Sequence, residues 1–77
     1  MTRQQLEKKI RSLGVRDDAY ELAGGSADEC YVLAKQADGK WEVYYSERGL
    51  RSGSKEFDSE SEACEELLEW LIRDLST

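Results

Sequence analysis

The chain has no histidine among its 77 residues. That absence removes Ser-His-Asp and Cys-His catalysis together with most zinc arrangements. Cysteine is nearly as scarce. Cys30 and Cys64 form no CxxC pair, so they make a poor metal set and no redox motif. Nothing in the sequence suggests an oxidising compartment, and both sit in apolar patterns, so they read as free thiols packed like small hydrophobes. There is no apolar run long enough to span a membrane as a helix. The first residues carry Arg3, Glu7, Lys8, Lys9 and Arg11 with no apolar signal core, which reads as a cytoplasmic protein. Walker and dinucleotide-binding motifs are also absent. The many carboxylates follow an exposed helical face, and no nucleophile–base pair can be assembled. A non-enzyme without metal or cofactor is expected.

A chain this short makes one domain, residues 1–77, and leaves little room for a deep pocket. Binding through an outer surface is favoured over chemistry in a cleft. Seventeen acids oppose eleven bases, for a net charge of −6. The charge is uneven: residues 1–16 hold five bases and one acid, whereas residues 56–77 hold eight acids and one base. Such a chain repels phosphate backbones, so nucleic acid is not an expected partner.

Residues 2–13 have the pattern of a helix. Thr2 and Gln5 suit a capping box, Leu6, Ile10 and Leu13 recur at helical spacing, and Gly14 suits a left-handed cap. Residues 16–29 read as a connector, with Gly24-Gly25-Ser26 as a turn and Tyr20 and Leu22 pinning it down. A second capping box, Ser59 with Glu62, opens a helix to about Leu75. Its apolar stripe is Cys64, Leu67, Leu68, Leu71 and Leu75, bordered by Trp70.

Between the helices, residues 29–37 and 40–47 are expected to pair through a two-residue type I′ turn at Asp38-Gly39. That turn sets Gln36 opposite Trp41, Ala34 opposite Val43 and Val32 opposite Tyr45. Cys30, Val32, Ala34, Trp41, Val43 and Tyr45 then form the core face. Tyr31, Leu33, Lys35, Glu42, Tyr44 and Ser46 form the outer face. Arg48–Ser54 reads as a loop, and Lys55–Asp58 as a short third strand with Phe57 facing inward. The predicted fold class is α+β, in the order α-β-β-β-α, a three-stranded antiparallel meander with two helices on one face.

Two surfaces are candidates for a partner. On the outer face Tyr31, Leu33 and Tyr44 are expected as neighbours, with Ser46 beside them. The chain then leaves the strand through Glu47, Arg48, Gly49, Leu50 and Arg51, an apolar residue flanked by bases on a glycine-containing loop. An exposed sheet face of this kind suits a homodimer contact equally well. The alternative is an acidic regulatory module or nucleic-acid mimic acting through Glu62, Glu66 and Glu69 of the last helix.

The string from Asp18-Ala19-Tyr20, through Gly24-Gly25, Glu29 and Tyr31, to the block Trp41–Gly49 and on to Phe57–Cys64 resembles a family of small bacterial immunity proteins. These resemble proteins encoded beside polymorphic toxins, including NAD-glycohydrolases of the tuberculosis-necrotizing-toxin type. The resemblance spans about residues 2–75. It implies a cytoplasmic inhibitor that binds a cognate toxin domain and blocks its active site.

Overall fold

The computed structural model describes residues 1–22 and 29–75, and for Leu75 the backbone alone. The expected Gly24-Gly25-Ser26 turn lies outside the described residues. The order is α1 (Arg3–Ser12), a 3₁₀ turn (Asp17–Ala19), β1 (Tyr20–Glu21), β2 (Cys30–Lys35), β3 (Trp41–Glu47), β4 (Leu50–Phe57) and α2 (Glu60–Leu75). The fold is α+β, as expected, but the sheet has four strands in the order β1-β2-β3-β4 and is mixed. β1 lies parallel to β2, and the other pairings are antiparallel. The additional strand comes from the connector, where Tyr20 and Leu22 pack against the core.

Local chemistry sets both helix starts. The Thr2 hydroxyl accepts from the Gln5 amide while the Gln5 side chain accepts from the Thr2 amide, satisfying two amides that a helix start otherwise leaves unpaired. At the other end Gly14 takes φ +79°, and the Val15 amide donates back to the Ile10 carbonyl at 3.4 Å. That is a Schellman closure. The Ser59 hydroxyl accepts from the Glu62 amide at 3.1 Å and opens α2. Leu6 and Ile10 of α1 and Ala63, Cys64, Leu67 and Leu71 of α2 bury against Leu33, Trp41 and Val43, with Phe57 at the edge. Burying a side chain of this size contributes about 1.5–3 kcal/mol each.

The β2–β3 pairing differs from expectation by one residue. Leu33 faces Val43, Val32 faces Tyr44 and Tyr31 faces Tyr45. The turn has the geometry that this register requires. The Gly39 amide donates to the Gln36 carbonyl, the Gln36 amide donates to the Lys40 carbonyl, and the Asp38 carboxylate accepts from the Lys40 amide at 3.0 Å. Gly39 has φ +90°, whereas Asp38 stays out of the left-handed region that a type I′ turn demands of both central residues. The result is a three-residue loop. Since side chains alternate, one residue of slip turns all of β2 over. Tyr31 and Leu33 therefore face the helices, and Cys30, Val32 and Ala34 face the open side with Glu42 and Tyr44.

A second correction concerns residues 48–54, which are not a loop. Glu47 and Leu50 pair directly across Arg48-Gly49, both of which have positive φ, +51° and +79°. The type I′ turn expected at Asp38-Gly39 lies here instead. β4 then runs eight residues along the sheet edge, and its register against β3 shifts between Val43 and Tyr45. Gly53, with φ +64°, supplies the left-handed residue at that bulge.

Candidate protein-binding site

The structure divides the nine expected contact residues among three places. Leu33 is in the core at 0% exposure and Tyr44 is 6% exposed, so both are corrected: neither offers a surface to a partner. Leu33 was displaced by the register slip. Tyr44 does face the side opposite the helices, but it packs with Cys30 and Val32, and the Arg51 guanidinium sits 4.5 Å from its ring centre. Arg51 also donates to Glu42 at 2.7 Å, and Ser54 donates to the second carboxylate oxygen. Glu42 is thereby the one buried charged residue among the described residues. Its burial is tolerated because both oxygens are occupied, one by a cation. Arg51 thus serves to hold the sheet, a role not visible in the sequence. Ser46 is half-buried opposite Cys30.

Glu47, Arg48, Gly49 and Leu50 are all exposed at the hairpin tip. Leu50 is 71% exposed, the most open of the large apolar side chains described. The turn suits the hairpin by its backbone geometry, because two successive left-handed residues match the twist of the flanking strands.

Tyr31, carried to the helix side by the slip, meets two residues that sequence reasoning did not select. Its ring packs edge-on against Tyr45 at 5.0 Å and lies 6.0 Å from Trp70 of α2. These three rings form the wall of an open groove of about 440 Å³, with Ser52 and Gly53 on the β4 side and Arg73 and Asp74 at the rim. Gly53 presents no side chain there. Leu50 and Ser52 alternate onto the same side of the sheet as Tyr45, so the tip and the groove belong to one side of the molecule. Burial pushes both tyrosine hydroxyls above their ordinary range, and the negative charge of Asp74 adds to the effect. Both remain neutral donors at physiological pH. A groove with aromatic walls and a few polar ends suits an apolar protein side chain better than a compact charged ligand. Trp70 was legible only as a residue beside the α2 stripe; its meeting with Tyr31 needed the correct register.

The buried thiols offer no reactivity. Burial, with Glu60 adding to it, pushes Cys64 up to about 11, and the nucleophilic thiolate is therefore scarce at neutral pH. Among the described residues no group of three His, Cys, Asp or Glu is placed to hold a metal ion, and no helix is long and apolar enough to cross a membrane. The acids of α2 are partly engaged within the chain: Lys55 holds Glu66 at 2.8 Å, Arg73 holds Glu69 at 3.1 Å, and Ser59 reaches Glu62. The chain matches no protein-family model, and no curated protein or solved structure shows significant similarity to it.

Proposed function

We infer that this chain is an immunity protein, a cytoplasmic inhibitor that binds a cognate bacterial toxin domain and occludes its active site by contact alone. The observation that carries this reading is the exposed Leu50 on a type I′ tip, on the same side as the groove of Tyr31, Tyr45 and Trp70. Aromatic rings and an isolated apolar anchor are the usual makings of an interface hot spot. The resemblance of the Trp41–Gly49 block to immunity proteins names the partner class, with an NAD-glycohydrolase effector as the specific expectation. An acidic domain of net charge −6 complements a site built to bind an anionic dinucleotide. Internal pairing of Glu62, Glu66 and Glu69 weighs against the acidic-helix alternative.

Co-expression with the product of the adjacent reading frame is the test. Protection by the wild type, lost on combining Leu50→Asp with Trp70→Ala and kept on reversing Glu62, Glu66 and Glu69, is the expected result. A toxin that kills equally well with and without the wild-type chain defeats the reading.

A further inference from the structure

β4 is the outer strand of the sheet and all but its last residue is exposed. A long exposed edge presents unpaired backbone donors and acceptors, and proteins ordinarily cover it or spoil it. Here the edge has an internal symmetry. Leu50 and Ser52 point to the helix side, Arg51 to the open side. Beyond the bulge at Gly53-Ser54, Lys55 and Phe57 point to the helix side and Glu56 to the open side. The bulge absorbs one residue, so the alternation reads the same from either end. A regular strand could not pair with itself about a point between two residues, because neighbours there face opposite ways; the bulge removes that obstacle.

We propose that β4 pairs antiparallel with β4 of a second copy of this chain, Leu50 opposite Phe57 and Arg51 opposite Glu56, to give a continuous eight-stranded sheet. Three features of the strand fit this one occupant. Leu50, 71% exposed, is covered by the half-buried Phe57 of the other copy. Glu56 lies directly opposite Glu42, a like-charged pair, and has no salt bridge among the described residues. Arg51 of the other copy holds its own Glu42 through one guanidinium nitrogen and keeps a 59% exposed side chain. It offers its remaining donors to Glu56, twice over. Glu47 and Leu50 flank a two-residue turn and exchange hydrogen bonds, so alternation aims the backbone groups of Arg51 and Glu56 outward. The proposal concerns the free protein and does not depend on what the partner in the preceding section is.

Sedimentation equilibrium of the purified chain, with amide exchange read by NMR, tests it. The wild type should weigh two chains, with the Arg51 and Glu56 amides slowed in the dimer. Glu56→Arg, at an exposed position, should weaken dimerisation by about tenfold or more, since two pairs become repulsive. Arg51→Glu should do the same. An equimolar mixture of the two variants restores both pairs, so it should recover the dimer. A single-chain mass at every concentration overturns the proposal, as does a dimer indifferent to Glu56→Arg. Protection of the β4 amides only on adding a toxin domain assigns the edge to that partner and also overturns it. Should Arg51→Glu fail to fold, the Glu56→Arg result alone still decides, with circular dichroism verifying that variant's fold.

Discussion

Glu42 is a carboxylate at 7% exposure whose oxygens are taken by Arg51 and Ser54. Removing the cation leaves the charge buried, which costs more than the pair itself contributes. Because the Arg51 side chain is 59% exposed, water offsets part of the loss, and Arg51→Ala is expected to destabilise by about 1–2 kcal/mol. Thermal melting should show a fall of roughly 5–15 °C, partly recovered by adding Glu42→Gln, which removes the stranded charge. Cys64 has a different consequence. Its folded-state value of about 11 lies above the ordinary 9.0, so the folded state holds the thiol proton more tightly. Its contribution is complete below about pH 9 and is lost as pH rises through about 11. The raised hydroxyls of Tyr31 and Tyr45 act in the same direction at still higher pH. Denaturant midpoints measured at about pH 8 and about pH 10.5 should fall in alkali, less steeply in Cys64→Ala.

The two hairpins show how an element is decided. At Asp38-Gly39 the dipeptide favours a two-residue turn, yet the chain makes a three-residue one. The alternative register would exchange Tyr31 and Leu33 for Cys30, Val32 and Ala34 on the helix-facing side, whereas Leu33 is fully buried in one cluster with Leu6, Ile10 and Leu67. Core filling therefore overrides the turn. Asp38→Asn strengthens the type I′ preference and removes the carboxylate that accepts from Lys40. It should lower stability by less than about 1 kcal/mol and keep the Leu33–Val43 pairing, seen as a persistent cross-strand contact by NMR. At Arg48-Gly49 the turn itself is the constraint. Gly49 has φ +79° with open space around the position of a Cβ, so Gly49→Ala should cost about 1–2 kcal/mol through backbone conformation alone.

For the whole molecule, the surface and the core separate cleanly. Leu50→Asp changes a side chain that is 71% exposed in the single chain. Measured at a concentration low enough to keep one chain apart from another, stability should therefore stay within about 0.5 kcal/mol while toxin neutralisation falls. A calorimetric Tm beside a growth-rescue assay checks both halves. Equal loss in the two measurements would assign Leu50 a folding role instead.

How much was legible follows the same division. Helix periodicity, the Thr2–Gln5 capping box, the Ser59 hydroxyl cap on the Glu62 amide and the Gly14 closure are local, depending on residues a few positions apart, and each appears in the structure. The end of the aromatic strand at Glu47 and the exposure of Leu50 were also visible, but the two-residue turn and the long β4 that follows it were not. The placement of Tyr31 and Leu33 was not legible, because the β2–β3 register decides which face of β2 meets the helices. Tyr44 lies on the expected face but is buried there against Cys30 and Val32. Neither the pairing of Tyr20-Glu21 with β2 nor the meeting of Tyr31 with Trp70 leaves a periodic trace in the sequence. By itself, then, the sequence determined the two helices, the paired strands β2 and β3 between them, and a chain without histidine chemistry, because propensity and composition act locally. Only the tertiary structure decided which side of the sheet Tyr31 and Leu33 serve. Register is chosen by filling the space under two helices, and that space exists only once they have packed.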